Sequence, residues 1–233
     1  TGIANAPFDS HSVTISSDTF GSVNFAGEGG SSATSALDAT AAGDIWDQFD
    51  DEGGLEPSGV GSGDNMFMYT TPSLMDGLTV KASFLPSRAG ADSALGFSGT
   101  YTGVEGLTVS MAQGDSNSVG NTEDASVLKA SYAWGPVTVS YSDYEYDASG
   151  TSSDDDVTSY KLSYTVSDEI SISYGTEDID QGTKSSEYES ISASYTAGGM
   201  TITGTMSDAT DIDGTTTATE DRERWALSAS FAF

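Results

Sequence analysis

Hydrophobic and polar residues alternate with a period of two along most of the chain. In the segment RWALSASFAF, residues 224–233, the side chains of Trp225, Leu227 and Phe231 share one face, and small or polar side chains occupy the other. Strict alternation of this kind is typical of a β-strand with one apolar face. The segments LTVKASF, LKASYAW and YKLSYTV repeat the pattern. It therefore predicts an all-β protein whose strands each carry one hydrophobic face.

The alternating segments predict thirteen strands. Most are short and are separated by turn-forming residues, as expected for an antiparallel sheet. Their expected bounds are residues 11–16, 20–28, 65–73, 78–87, 93–102, 107–115, 124–134, 137–147, 156–167, 170–178, 187–197, 200–208 and 223–233.

The connections between these strands differ systematically in length. From the sixth strand onward, long acidic connections such as GDSNSVGNTEDA, DASGTSSDDD and TEDIDQGTKSSE alternate with short ones such as GP and AGG. Long loops on one side and tight turns on the other are typical of an up-and-down β-barrel in an outer membrane. The polar strand faces carry mainly Ser, Thr and Gly, which suits a water-filled interior. The pattern therefore predicts a transmembrane antiparallel up-and-down β-barrel.

One connection, residues 29–64, is much longer than the others. Loops of this length are usually either functional or disordered. Here Ile45, Trp46 and Phe49 stand among many acidic residues, and a short helix is expected near residues 44–50. Because such apolar side chains need a surface to pack on, they favour an ordered segment.

The net charge excludes one class of function. The 233 residues include 7 Lys and Arg against 36 Asp and Glu, which gives a formal net charge of −29 at pH 7. Such a surface repels nucleic acid and attracts cations, so nucleic-acid binding is excluded. The chain contains no cysteine, which rules out a disulfide framework and a zinc-thiolate site.

Two segments resemble a known family. Residues 19–83, with TFGSVNFAGEGG, DIWDQFDDEGG and SGDNMFMYTTPSLMDGLTVKAS, resemble the part of general diffusion porins that leads into and out of the constriction loop. The similarity is to porins of the alphaproteobacterial, Rhodobacter-like type. Residues 224–233 resemble the terminal strand of that family, and the resemblance implies that Phe233 is read by the outer-membrane assembly machinery. It also implies a water-filled channel in the bacterial outer membrane for passive diffusion of small hydrophilic solutes and ions. Membrane lipid, lipopolysaccharide and a homotrimer are the implied partners.

The strand count differs from the usual family pattern. The family usually has sixteen strands, with the constriction loop after the fifth, whereas this chain has two predicted strands before residues 29–64 and eleven after them. We therefore expect residues 1–233 to form a single barrel domain that corresponds to strands four to sixteen. An open sheet leaves two unpaired edges in hydrocarbon, so a further segment or chain is expected to complete it. A smaller complete barrel is the alternative.

The resemblance implies that the long loop folds inward, so that its acids face basic residues of the wall. By the alternation, four bases lie on the polar face of their strands, where they avoid the cost of about 2–4 kcal/mol for a lipid-facing Lys at mid-membrane. Acids that face bases across a water-filled gap create a transverse electric field, which filters solutes by charge. The excess of acidic over basic residues predicts a modest preference for cations. Solvated acids and purely structural lysines are the alternative. The loop contains eight acids, of which six are expected at the constriction: Asp38, Asp44, Asp47, Asp50, Asp51 and Glu52. The other two are Glu56 and Asp64, and the wall bases are Lys81, Lys129, Lys161 and Arg224.

An outer loop could bind calcium. The segment DIDG supplies Asp211 and Asp213, whose oxygens suit a hard cation, but the full spacing of a twelve-residue calcium loop is absent. Calcium is therefore an optional ligand, and no cofactor is expected to be required.

Catalysis has little support in the sequence. It contains no G-x-S-x-G, no glycine-rich phosphate loop and no H-E-x-x-H. The single histidine, His11, is in phase with Val13 and Ile15 on the apolar face, so a rim position is favoured over a catalytic one. We therefore expect a protein that is not an enzyme. Two alternatives stay open: an acidic calcium-binding surface β protein, adhesin-like or S-layer-like, and a solute-specific channel.

Overall fold

The computed structural model describes residues 11–52, 55, 57, 63–87, 92–115, 123–148, 154–212, 214 and 221–232. Within these residues, thirteen antiparallel strands form one sheet in which each strand pairs with its neighbours in sequence. The all-β, up-and-down prediction is therefore confirmed. The strands are β1 Ser12–Ser17, β2 Gly21–Ala26, β3 Met66–Thr70, β4 Leu78–Leu85, β5 Ala94–Val104, β6 Leu107–Asp115, β7 Asp124–Trp134, β8 Val137–Asp147, β9 Asp155–Thr165, β10 Ile170–Gln181, β11 Lys184–Ala197, β12 Met200–Thr210 and β13 Arg222–Phe231.

The hairpin between β10 and β11 differs from its prediction. The two strands pair as far as Gln181 and Lys184, so only two residues turn the chain where a long acidic loop was expected. Gly182 lies in the turn at a φ of 64°, a conformation that glycine adopts without strain. The acidic composition of this segment indicated a loop, but the alternation of the strand continues through it. Ile179 is buried on one face, and its neighbours Asp178 and Asp180 are exposed on the other.

The sheet has an outer and an inner face, which the strand register keeps distinct. On the outer face, Tyr174 lies opposite Ile191, Ile191 opposite Met206, and Met206 opposite Trp225. These large apolar side chains are exposed, Trp225 to 80 % and Leu227 to 81 %. An apolar band of this size on an antiparallel sheet is the surface that a lipid bilayer covers.

The hydrophobic core lies on the inner face, beneath the long loop of residues 29–64. A 3-10 helix at Ile45–Glu52 confirms the helix expected near residues 44–50. Ile45 and Phe49 are fully buried against the wall, and the rings of Phe49 and Tyr188 are 5.8 Å apart. Among the described residues, no helix has the length and apolar character needed to cross a membrane.

The described sheet is open. Within the residues described, β1 pairs only with β2, and β13 pairs only with β12. Among the described residues, each edge therefore presents unpaired backbone groups.

Candidate functional site

The long loop starts and ends at one point of the sheet and lies across its inner face between them. The backbone groups of Gly30 and Gly63 exchange two hydrogen bonds of 3.0 and 3.1 Å. The amide of Gly29 also donates to Oδ1 of Asp64 at 3.2 Å. These contacts bring the two ends of the loop together where it leaves the wall.

Serine hydroxyls of the wall satisfy the amide groups of the loop. Ala41 N donates to Ser142 Oγ at 2.7 Å, and Ala42 N donates to Ser159 Oγ at 2.9 Å. Since Ser142 and Ser159 are paired neighbours on β8 and β9, they form one short row under the loop. Buried amide groups need such partners, so these serines are structural components of the site.

Glycine in the wall lets the loop approach closely. Gly175 on β10 faces Ala42, and a Cβ atom added at Gly175 would lie only 2.8 Å from the Cβ atom of Ala42. Any larger residue at this position would therefore push the loop away from the wall.

Three of the four basic residues expected on the wall donate hydrogen bonds to the loop backbone. Lys161 Nζ donates to the carbonyl oxygen of Ala42 at 3.2 Å. Lys129 Nζ donates to the carbonyl oxygen of Ala39, and Arg224 Nη1 donates to that of Gln48. These side chains therefore fix the loop position in addition to placing positive charge on the inner face.

The fourth wall base differs from the other three. Lys81 lies on the inner face of β4, in phase with the buried Ser83. Within the described part of the chain, it forms no hydrogen bond or ion pair. Lys81 therefore differs from Lys129 and Lys161, whose ammonium groups donate hydrogen bonds to the loop backbone.

A buried glutamate holds the middle of the loop. Glu177 on β10 has no exposed surface, and its Oε1 accepts a hydrogen bond from the hydroxyl of Thr40. Its Oε2 accepts a hydrogen bond from Trp46 N at 3.2 Å. A buried carboxylate is stable only with such partners, so Glu177 and the loop stabilise each other. Sequence reasoning missed Glu177, although its phase with Gly175 and Ile179 marks it as an inner-face residue.

The loop helix is attached to the last strands. Ser207 Oγ donates to Oε1 of Gln48 at 3.0 Å, and Leu55 N donates to the carbonyl oxygen of Ile212 at 3.0 Å. Together with Arg224, these contacts extend the loop across the inner face as far as β13.

Two of the loop acids lie against the wall. Asp38 is exposed overall, but partial burial of its carboxyl group raises the pKa of that group above the ordinary value, and the nearby charge of Asp44 raises it further. The amide of Ala39 and the ammonium of Lys129 act in the opposite direction. Asp44 has a φ of 53°, and its Oδ1 accepts a hydrogen bond from Thr40 N at 2.7 Å.

The other four acids expected at the constriction lie on the loop helix. Asp47, Asp50 and Asp51 are exposed, and Glu52 is the last residue of the helix. The structure thus places these six acids on one loop, where Asp44 is partly buried and the others with a described side chain are exposed.

A half-open cavity of about 280 Å³ lies between the loop and the wall. One side of it is formed by the loop and the other by β8 and β9. In the described part of the lining, the two charged residues are carboxylates, and the other residues are largely apolar or aromatic. The lining residues are Asp38, Ala39, Thr40, Asp44, Trp46, Pro57, Tyr144 and Val157.

Three of the sequence predictions lie at or beyond the limit of the described residues. Asp211 has a φ of 52°, and its amide donates to Oδ1 of Asp221 at 3.3 Å, but Asp213 lies outside the described residues. No group of three potential metal-ligating side chains occurs in the described residues. Phe233 also lies outside them, whereas His11 is exposed just before β1.

The sequence matches a known family over most of its length. A profile of the Gram-negative porin family matches residues 2–190. No functionally curated protein is significantly similar to the sequence.

Solved outer-membrane structures share the fold at low sequence identity. A porin refined at 1.8 Å resolution is 18 % identical, with a TM-score of 0.66, and the match covers 92 % of this chain and 78 % of that one. A triple mutant of the Rhodopseudomonas blastica porin is 13 % identical, with a TM-score of 0.61, covering 95 % of this chain and 88 % of that one. The trimer form of OmpT, an in-vitro folded outer membrane protein of Vibrio cholerae, is 18 % identical, with a TM-score of 0.53 and coverage of 91 % and 73 %.

Proposed function

Because the chain belongs to the Gram-negative porin family, and is thereby a channel protein of the bacterial outer membrane, we propose that it passes small hydrophilic solutes and ions by passive diffusion. The observation that carries this proposal is the path of the long loop, whose described residues lie across a polar inner face behind an apolar outer face. Porins are channels rather than enzymes, in agreement with the lack of recognisable catalytic motifs in the sequence.

We propose that the long loop is the constriction of this channel. Its backbone is hydrogen-bonded to β4, β8, β9 and β13, so it reduces the open cross-section beside the wall. Since these bonds come from side chains on rigid strands, the constriction has a defined position.

We further propose a modest cation selectivity. Asp47, Asp50 and Asp51 are exposed on the loop, whereas Lys129 and Arg224 donate hydrogen bonds to loop carbonyl oxygens. Exposed carboxylates in a narrow passage raise the local concentration of cations. The charge that a passing ion meets is therefore predominantly negative.

We propose a homotrimer surrounded by membrane lipid and lipopolysaccharide, assembled through recognition of Phe233. The trimer form of OmpT supports the proposal of a homotrimer. The exposed apolar outer face supports the contact with lipid. A closed wall also requires further strands beside β1 and β13, because both edges have unpaired backbone.

Conductance of the folded protein in a planar lipid bilayer, under a potassium chloride gradient, tests the channel and its selectivity. We expect conductance steps in groups of three. We also expect the sign of the reversal potential to show that cations pass more readily than anions. A well-folded preparation that forms no channels would contradict the channel, and an anion-selective reversal potential would contradict the selectivity.

A further inference from the structure

The cavity between the loop and the wall combines negative charge with an aromatic surface. Among the described residues, its charged lining residues are Asp38 and Asp44, and neither of them forms an ion pair there. Lys129 is close enough to Asp38 to lower its pKa, and therefore offsets part of this charge. The cavity keeps an excess of negative charge that a monovalent cation would neutralise.

The carboxylate of Asp44 has one oxygen available to a ligand. Oδ1 accepts a hydrogen bond from Thr40 N at 2.7 Å, which fixes the orientation of the group. In the described residues, Oδ2 has no hydrogen-bond partner. Because an oriented carboxylate loses little side-chain freedom on binding, it is a better partner than a freely rotating one.

Trp46 supplies the aromatic part of the cavity. The side chain is partly buried and lines the cavity, while its Nε1 atom is buried with no hydrogen-bond partner in the described residues. Trp46 therefore contributes aromatic surface to the cavity lining. The face of an indole attracts cations more strongly than any other aromatic side chain.

The remaining lining fits an organic ion rather than a bare metal ion. Val157 and Tyr144 are buried wall residues, and they add apolar surface opposite the carboxylates. A hydrated inorganic cation gains nothing from this surface, whereas an alkylammonium ion gains both charge pairing and apolar contact. The volume of about 280 Å³ accommodates a small molecule of this kind.

We propose that this cavity is a binding subsite for organic ammonium ions, in which Asp38 and Asp44 pair with the positive charge and Trp46 covers its alkyl groups. The inference deepens the proposed function and rests on it, since it names a class of solute that is retained on its way through the channel. Amines and quaternary ammonium compounds with a compact apolar part would be enriched there.

Choline and its uncharged analogue 3,3-dimethyl-1-butanol test this proposal as a matched pair. The two molecules have nearly the same shape, and only choline carries a positive charge. Isothermal titration calorimetry of the folded protein in detergent measures both affinities. We expect choline to bind at least about tenfold more tightly than the alcohol, from the combined charge and ring contacts. Equal affinities would overturn the proposal.

Substitutions locate the binding. Asp38→Asn and Trp46→Leu should each weaken choline binding by about fivefold, whereas Trp46→Phe, which keeps a ring, should weaken it by about twofold. Asp168→Asn is the control, because Asp168 is exposed in the short turn before β10, outside the cavity and away from the loop. An equal loss from Asp168→Asn and Asp38→Asn would mean diffuse attraction by surface charge and would overturn the subsite. Circular dichroism verifies that each variant is folded.

Channel recordings separate this inference from the proposed function. A protein that conducts potassium chloride but binds both analogues equally keeps its channel function and lacks the subsite. A protein that forms no channels contradicts the channel function, whatever its affinity for choline. Reversible block of potassium current by choline but not by the alcohol, reduced in Asp38→Asn, would support both.

Discussion

The carbonyl oxygen of Ala42 in the loop accepts a hydrogen bond from Nζ of Lys161 at 3.2 Å. Lys161 lies on β9, more than a hundred residues away from Ala42 in the sequence. The same alanine donates its amide to Ser159 and lies over Gly175. The ammonium group of Lys161, the hydroxyl group of Ser159 and the space above Gly175 therefore hold this point of the loop against the wall. Each of these three contacts can be removed separately.

Gly175→Ala should displace the loop. Its new Cβ atom would lie 2.8 Å from that of Ala42, which has no flexible side chain to move aside. Overpacking of this kind costs roughly 1–3 kcal/mol. We expect a lower free energy of unfolding in urea and noisier open-channel current. Gly204→Ala is the matched control, because a Cβ atom there meets nothing within 4 Å. Equal behaviour of the two variants would show that the loop does not need the close approach.

Lys161→Met should loosen the loop. The substitution removes a hydrogen bond from a charged donor, which contributes about 1.5 kcal/mol at a partly exposed position. We expect more frequent brief closures and openings in single-channel recordings. Lys81→Met removes one positive charge from the same inner face without breaking a bond to the loop, and should shift only the reversal potential. Increased current noise in both variants would contradict the assignment of Lys161 to loop attachment.

Glu177→Ala should destabilise the loop more than any surface substitution. It leaves the Thr40 hydroxyl and the Trp46 amide without their acceptor, and an unsatisfied buried group costs roughly 1–3 kcal/mol. We expect a loss of about 3 kcal/mol in the free energy of unfolding in urea and faster proteolysis within residues 29–64. Glu187→Ala, on the exposed face of the neighbouring strand, should change the free energy by less than about 0.5 kcal/mol. Comparable losses in both would argue against the role of Glu177.

The strand pattern and the placement of the bases follow from the sequence, whereas the contacts of the loop do not. Alternation assigns Lys161 and Glu177 to the inner face, because a strand side chain has only two directions. It does not determine which loop residue lies over which wall residue, since that depends on the path of a long segment relative to distant strands. Thr40 and Ser142 are therefore ordinary polar residues in the sequence. Only in the folded chain does Thr40 donate a hydrogen bond to Glu177, and only there does Ser142 accept one from the amide of Ala41.

Neutralising the exposed loop acids should reduce cation selectivity. Asp47→Asn combined with Asp51→Asn removes two negative charges from the exposed side of the loop. We expect the reversal potential in a potassium chloride gradient to move toward zero, with the conductance nearly unchanged. Asp168→Asn, in the short turn before β10 at the opposite end of the strands, is the control and should leave the potential unaltered. An equal shift from Asp168→Asn would assign the selectivity to overall charge.

Asp38 should make the attachment of the loop weaker as pH rises. Burial raises the pKa of its carboxyl group in the folded protein above the ordinary value of 3.8, so the folded state binds this proton more tightly than the unfolded state. The contribution of Asp38 to stability therefore falls as pH increases from 3.8 through the raised pKa, and is constant above it. Asp38→Asn removes this dependence. The difference in free energy of unfolding, variant minus wild type, should grow across that window and then level off, as urea titrations at successive pH values would show. A difference that shrinks with rising pH would contradict the direction of the shift at Asp38.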